Sequence, residues 1–322
     1  MEQTFREILH ASFKSKDTEE WLDVHFTRPI GLVFALLWNR MGIHPNVVTV
    51  LSIFLGVGAA YMFYHTGLLY NIAGVILLML ANFCDSTDGQ MARLTGKKTL
   101  VGRVLDGFSG DLWFFSIYVA LCLRMMGQAI PGTDVHWGIW IWGMAFVAGI
   151  LCHSPQSSLA DYYRQIHLFF LKGKEGSELD SYVRQRAVYE SLPKSRWFAR
   201  LFYFNYANYC KSQEKRTPQF QAFFKEYKSK HVDAERNIAT AAEGERLKEE
   251  FLAGSRPLMG SANILTFNVR AICLYITALL NIPWLYFLIE IIVLTVVYVN
   301  MHQKHESLCR RMLETMNGSG GR

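Results

Sequence analysis

Long apolar runs alternate with short polar connections along most of the chain. Several of these runs stay almost free of charge for about 20 residues, the length that a helix needs to cross the hydrocarbon core of a bilayer. The pattern predicts six membrane-spanning helices, at 45–65, at 65–84, in a stretch whose apolar end is 112–123, and at 136–154, 262–280 and 282–299. An even number of spans places both chain ends on the same side of the membrane.

Two polar regions precede or interrupt these spans. At the N-terminus, Phe5, Ile8, Leu9 and Phe13 recur at helical spacing, which predicts an amphipathic helix on the membrane surface. Between the fourth and fifth spans lies a polar insertion rich in helix formers, which we expect to be helical and cytosolic. The predicted fold is an all-α integral membrane protein with an amphipathic N-terminal segment (1–28), membrane helices one to four (29–163), the cytosolic insertion (164–260), membrane helices five and six (261–305) and a cytosolic tail (306–322).

Composition and charge support this fold. Hydrophobic residues make up 51% of the chain, a fraction typical of membrane proteins. Lys and Arg are concentrated in the N-terminal segment, in the connection after Arg93, in the insertion and in the tail, so the positive-inside rule predicts that these parts are cytoplasmic. We expect the bacterial inner membrane or, in a eukaryotic cell, the endoplasmic reticulum. The formal net charge of +6 suits anionic headgroups, and no nucleic-acid-binding motif is present.

Four aspartates interrupt the apolar sequence between residues 84 and 115, namely Asp85, Asp88, Asp106 and Asp111. At about 100° per residue, Asp85 and Asp88 share one helical face with Ala92. Carboxylates in hydrocarbon are costly, and crowded carboxylates repel one another. A divalent cation removes that cost, and aspartate oxygens suit Mg²⁺, Mn²⁺ or Ca²⁺ better than zinc.

Small residues accompany these acids. Gly89 and Ala92 remove bulk beside the carboxylates, so that a flat ring or a pyrophosphate can approach the backbone. Together with the acids they predict a cytosol-facing pocket for a metal-bound diphosphate.

The spacing D-x2-D-G-x2-A-R-x8-G-x3-D over Asp85 to Asp106 resembles the signature of the CDP-alcohol phosphotransferases, integral membrane enzymes of phospholipid synthesis. The resemblance extends over residues 28–164 and 261–305. It implies displacement of CMP from a CDP-linked donor by an alcohol acceptor, with two metal ions, Mg²⁺ or Mn²⁺, and a homodimer. Carried onto this chain, it makes Asp85, Asp88 and Asp106 metal ligands, places Gly89 and Ala92 at the cytidine, and places Arg93 at the phosphates or the acids.

One position departs from the family pattern. The family's fourth aspartate, a metal ligand and the proposed catalytic base, follows the third by four residues, whereas here that position is Gly110 and the acid is Asp111. On a regular helix this offset turns Asp111 away from the other acids. We therefore hypothesise a π-bulge across 106–111 that returns Asp111 to the cluster as ligand and base. The alternative is an acceptor site without this base.

Other ionisable residues occur in or near the predicted spans. Arg164 and Arg270 resemble the basic residues that bind an acceptor phosphate in family members using a phosphorylated inositol, although either could bind the donor diphosphate instead. Glu290 is expected to make a structural hydrogen bond, with no assignable partner. His302 and His305 have a spacing that suits a metal, but we expect them on a solvated helix face.

The resulting hypothesis is transfer of a phosphatidyl or similar group from a CDP-lipid such as CDP-diacylglycerol to a polyol or polyol phosphate, for example inositol phosphate. The same signature allows the opposite polarity, in which CDP-ethanolamine, CDP-choline or CDP-inositol gives its headgroup to diacylglycerol or ceramide. A third alternative is a transporter or a non-catalytic scaffold with the same fold. Transporters often have broken helices and inverted repeats, and the sequence shows neither.

Overall fold

A computed structural model describes residues 15, 17–96, 100–232 and 242–319. The predicted N-terminal amphipathic helix therefore lies outside the described residues. Across the described ranges the protein is all-helical and has no β-strand. The helices are α1 (Arg28–Arg40), α2 (Pro45–Tyr64), α3 (Leu68–Thr95), α4 (Leu100–Met125), α5 (Trp140–Phe146), α6 (Ser154–Lys172), α7 (Tyr182–Ser191), α8 (Trp197–Arg216), α9 (Pro218–His231), α10 (Ala242–Ile264), α11 (Phe267–Leu279), α12 (Trp284–Leu288) and α13 (Leu294–Ser319).

Three π-helical segments adjoin these helices. Asp23–Thr27 precedes α1, Val147–His153 joins α5 to α6, and Ile289–Val293 joins α12 to α13. The segment Val147–His153 packs against Ile289–Val293. A π-helical turn is wider than an α-helical turn and often marks a functional or strained position.

Five helical stretches are long and apolar enough to cross a membrane, judged by length and composition. They are Pro45–Tyr64, Leu68–Thr95, Val104–Met125, Ala242–Leu279 and Trp284–Asn317. They include five of the six predicted spans. The predicted fourth span, 136–154, is not confirmed. That stretch is divided among the short helix α5, the π-helical segment Val147–His153 and the start of α6.

The chain divides into two compact units. The first comprises Met1–Ser154 and Phe267–Val293, and the second comprises Pro155–Thr266 and Leu294–Arg322. In the first unit α2, α3 and α4 pack closely, because glycines face large aromatic rings. A Cβ atom on Gly56 would lie 2.1 Å from Cδ1 of Trp113, and one on Gly74 would lie 2.8 Å from Cε1 of Phe63. Small residues let membrane helices approach in this way and gain dispersion contacts.

The second unit is built around aromatic side chains. Phe170 stacks on Phe251 with ring centroids 4.1 Å apart, and Tyr163 stacks on His305 at 3.9 Å. His305 is fully buried, so the prediction of a solvated face is wrong for this residue. The charged neighbours of His305 belong to other faces of α13. Glu306, for example, accepts hydrogen bonds from the first backbone amides of α9.

Candidate metal and substrate site

The local sequence positions the acids at the ends of two helices. Gly96 follows the last residue of α3 with a φ of 67°, a left-handed conformation that glycine adopts without strain and that commonly terminates helices. Asp85 and Asp88 lie near this end of α3, one helical turn apart. Asp106 lies in the second turn of α4. Helix α4 begins four residues after Gly96.

A hydrogen bond joins the two helices at these acids. The Ser109 hydroxyl of α4 donates to Oδ1 of Asp85 at 2.7 Å, and its oxygen also lies 2.8 Å from the backbone carbonyl of Asp106. Ser109 is only 1% exposed. The contact brings the face of α4 that carries Asp106 against the face of α3 that carries Asp85. Sequence reasoning missed Ser109, although its position one turn after Asp106 is a signal that could have identified it.

Asp88 is the most enclosed of the acids. It is 3% exposed, and a hydrogen bond links its carboxylate to the side chain of Thr49 on α2. The negative charges of Asp85 and Asp106 both act on it, and the charge of Asp106 also acts on Asp85. The three predicted metal ligands are thus close enough to repel one another.

This set of groups fits a divalent cation. Oδ2 of Asp88 is buried and has no hydrogen-bond partner in the described part of the chain. A buried oxygen without a partner is costly, and so is mutual repulsion of carboxylates at low dielectric. A hard cation bound by these oxygens would relieve both penalties, and carboxylate oxygens are the ligands that Mg²⁺ and Mn²⁺ prefer.

The residues predicted to contact the nucleotide continue along α3. Gly89, Ala92 and Arg93 follow the two aspartates on neighbouring positions of the same helical surface, and all three are partly exposed. A Cβ atom on Gly89 would meet only the Arg93 guanidinium, with Nη1 at 3.5 Å. The Arg93 guanidinium therefore lies beside Gly89 and next to the carboxylates, and a cation in this position suits a diphosphate.

The predicted π-bulge is absent. Helix α4 is α-helical from Leu100 to Met125, without a π-helical turn at 106–111. Residues five apart on such a helix are about 140° apart around its axis, and the Asp111 side chain is exposed. Gly110 occupies the position one turn after Asp106, and a Cβ atom there would meet open space. The bulge hypothesis is therefore wrong. Gly107, Ser109 and Gly110 give this turn backbone freedom, but an α-helix accommodates them as well as a bulge does.

The two predicted phosphate-binding arginines have protein partners. Arg270 of α11 is 1% exposed and forms an ion pair with Glu290, the partner that the sequence did not assign. Tyr286 also donates to Glu290 at 2.8 Å, and Nδ1 of His153 lies 3.6 Å from its carboxylate. Arg164, in the second unit, donates to Oδ1 of Asn263 from Nε at 3.0 Å and from Nη2 at 2.5 Å.

Fold and site together define a helical membrane domain with a carboxylate cluster suited to divalent cations. Residues 42–161 match the family model of the CDP-alcohol phosphatidyltransferases, so this part of the chain, which contains the cluster, is a CDP-alcohol phosphatidyltransferase domain. The resemblance stated from the aspartate spacing is thereby confirmed. Enzymes of this family use divalent metal ions.

A relative of known function is similar to part of the chain. The chain is 36% identical over 83 residues to the archaetidylinositol phosphate synthase of Pyrococcus horikoshii. The aligned part covers 26% of this chain and 43% of that protein. The chain therefore spans less than half the length of this relative.

Proposed function

We propose that the protein is an integral membrane phosphotransferase that moves a phosphatidyl or similar lipid-phosphate group from a CDP-lipid such as CDP-diacylglycerol to a polyol or polyol phosphate. The observation that carries this proposal is the carboxylate cluster in which Oδ2 of Asp88 is buried and has no partner among the described residues, inside a domain that matches the family. The name of the relative in Pyrococcus horikoshii, an archaetidylinositol phosphate synthase, supports a lipid donor and inositol phosphate as the acceptor.

Each group of residues has a proposed role. Asp85, Asp88 and Asp106 hold Mg²⁺ or Mn²⁺, two ions in the complete site. Bound metal would neutralise the diphosphate and stabilise the departing CMP. The small residues Gly89 and Ala92 lie at the cytidine, and Arg93, which lies beside Gly89, contacts the phosphates. In the reaction the acceptor oxygen bonds to the lipid-linked phosphorus, the bond from that phosphorus to the CMP oxygen breaks, and the acceptor hydroxyl loses its proton.

Asp111 stays a predicted proton acceptor and fourth ligand from the resemblance alone, and the regular helix, which turns it about 140° from Asp106, makes this role the first to test. Substitution Asp111→Asn keeps the size of the side chain and removes its basicity. If Asp111 is the base, CMP release falls by about a hundredfold or more while CDP binding persists. Unchanged CMP release would assign the proton to another group.

The proposed topology places both termini and the carboxylate cluster in the cytoplasm, where CDP-linked substrates and metal ions are available. The distribution of Lys and Arg supports this orientation. A homodimer stays a prediction from the resemblance.

The deciding experiment measures CMP release by purified protein in detergent with Mg²⁺. Radiolabelled CDP-diacylglycerol is offered with inositol phosphate, inositol or glycerol phosphate, and Asp88→Asn serves as the inactive control. Release that depends on one of these acceptors supports the proposal. Release only with CDP-ethanolamine, CDP-choline or CDP-inositol plus diacylglycerol or ceramide would reverse the polarity. No release from any donor and no thermal shift with CDP and Mg²⁺ would indicate a scaffold or transporter.

A further inference from the structure

Helices α7 and α8 and their connection, residues 182–216, form a hairpin with an exposed apolar end. We call Trp197, Phe198, Leu201 and Phe204 its apolar tip. Trp197 is 69% exposed and Leu201 is 54% exposed, and the two phenylalanines are exposed as well. Neither helix is among the five stretches that are long and apolar enough to cross a membrane. A membrane-spanning helix would expose apolar side chains to lipid, but α7 and α8 are not candidates for one, so the exposure needs another explanation.

The apolar tip is confined to one end of one helical face. Trp197, Leu201 and Phe204 follow the spacing i, i+4 and i+7, which aligns them along a single stripe of α8. The same stripe continues toward the C-terminus as Asn208, Lys211 and Lys215. The apolar part of this stripe thus lies within the first eight residues of α8, at the end of the hairpin next to the connection.

Positive charge surrounds the apolar tip. Residues 181–216 contain eight Lys and Arg side chains and two Glu side chains, an excess of six that equals the formal net charge of the whole chain. Lys194 and Arg196 lie in the connection directly before Trp197, and both are exposed. This excess of positive charge attracts the hairpin to an anionic surface.

The tip is also held in shape by the protein. Arg200 donates from Nη1 to the carbonyls of Tyr189 at 3.2 Å and Leu192 at 2.5 Å, which are the orphan acceptors at the C-terminal end of α7. Its guanidinium carbon lies 4.3 Å from the centroid of the Tyr189 ring. These contacts of Arg200 join the start of α8 to the end of α7. They reduce the conformational entropy that the connection between the helices loses when a partner binds.

We infer that the hairpin inserts its apolar tip into the interfacial layer of a membrane that contains anionic phospholipid. Trp197, Phe198 and Leu201 lie at the boundary of headgroups and acyl chains, and Lys194 and Arg196 bind lipid phosphates. Tryptophan beside Lys and Arg is the composition that interfacial segments use, since the ring suits the headgroup region and the cations suit anionic lipid. This interaction is separate from the transferase chemistry and would hold the polar insertion against the leaflet.

The experiment uses the full chain reconstituted in vesicles. A nitroxide label is attached to Leu201→Cys, and Cys152→Ala and Cys273→Ala remove two native cysteines that would otherwise be labelled. Lys215→Cys, on the polar end of the same stripe, is the matched control. Accessibility to oxygen, which concentrates in acyl chains, is compared with accessibility to a water-soluble nickel chelate. In vesicles of phosphatidylcholine and phosphatidylglycerol, we expect the ratio of oxygen to nickel accessibility to be roughly tenfold higher at position 201 than at position 215.

The charge is tested separately. The double substitution Lys194→Glu and Arg196→Glu, or vesicles of phosphatidylcholine alone, should return position 201 to the ratio seen at position 215. Equal ratios at the two positions in anionic vesicles would overturn the inference, because the tip would then be in water. Protection of position 201 from both reagents, in vesicles and in detergent alike, would also overturn it and indicate that protein, such as a second copy of the chain, covers the tip.

Discussion

Two clusters of ionisable side chains in the first unit solve the problem of buried charge in opposite ways. At the ends of α3 and α4, Asp85, Asp88 and Asp106 all carry the same sign and one Asp88 oxygen has no partner among the described residues. Around Glu290, by contrast, the negative charge meets Arg270, and Tyr286 donates to the same carboxylate. The second cluster pairs opposite charges, whereas the first brings like charges together and suits an added cation.

The two clusters also differ in backbone structure. The carboxylate cluster lies on regular α-helices. Glu290 and His153 instead lie in the two π-helical segments that pack against each other. A buried ion pair needs good geometry and satisfied hydrogen bonds to offset its desolvation, and a widened turn gives a side chain the freedom to reach its partner. The comparison indicates a structural role for Glu290 and Arg270 and a ligand-binding role for the aspartates.

The largest expected effect is on activity at the carboxylate cluster. Asp88→Asn removes a metal ligand and one of three repelling charges, so we expect CMP release to fall by about a thousandfold while the metal-free protein is as stable as the wild type or more stable. CMP release and thermal unfolding in detergent, each with and without Mg²⁺, measure the two effects. A large loss of metal-free stability would contradict the distinction between the clusters.

The cluster around Glu290 should respond in the opposite sense. Glu290→Gln leaves the buried Arg270 cation without its counter-charge, so we expect a loss of about 3–5 kcal/mol in the free energy of unfolding. Activity per folded molecule should change little. The matched control replaces both partners, Arg270→Met with Glu290→Leu, and should recover most of the stability. If Glu290→Gln left stability unchanged but abolished acceptor binding, the predicted phosphate-binding role of Arg270 would gain support.

A third buried charge sharpens the comparison, because neutral groups accept the hydrogen bonds that it donates. Arg124 of α4 is 6% exposed and donates to the Phe63 carbonyl and to Oδ1 of Asn71, both at 2.8 Å, and to Oδ1 of Asn281 at 2.6 Å. Arg124→Met should cost about 2–3 kcal/mol of stability by leaving these acceptors unpaired. Asn281→Gly, which removes one acceptor at a residue with a φ of 58°, should cost less. Equal losses would contradict this expectation and show that the contact with Asn281 carries most of the stabilisation.

The smallest expected effect concerns the hydrogen bond that orients a proposed metal ligand. Ser109→Ala removes the donor to Asp85, so we expect about a tenfold loss of apparent metal affinity with a smaller change in maximal rate. CMP release measured against Mg²⁺ concentration separates the two quantities. Ser109→Thr retains a hydroxyl and should preserve most of the affinity. A change in maximal rate alone would indicate that Ser109 does not act through the metal site.

Local periodicity accounts for the parts of the site that could be predicted. Asp85, Asp88 and Ala92 share a helical face whatever surrounds the helix, so their spacing alone indicated a cation site and the family. Periodicity on α13 also predicts the burial of His305, which the sequence analysis placed on a solvated face. His305 is in register with the buried residues Met301, Cys309 and Met312, and this periodicity would have revealed its burial had the neighbouring charges been given less weight.

By itself, the sequence determined the membrane character of the chain and the family of its domain, and it placed Asp85 and Asp88 on one helical face. These results follow from hydropathy and from spacing within one helix. Only the tertiary structure decided that Glu290 neutralises Arg270, that Ser109 bonds to Asp85, and that α4 stays regular at Asp111. The physical reason is that these outcomes depend on which faces of distant helices meet. That choice is made by the packing of side chains such as Trp113 against Gly56, and no short-range pattern encodes it.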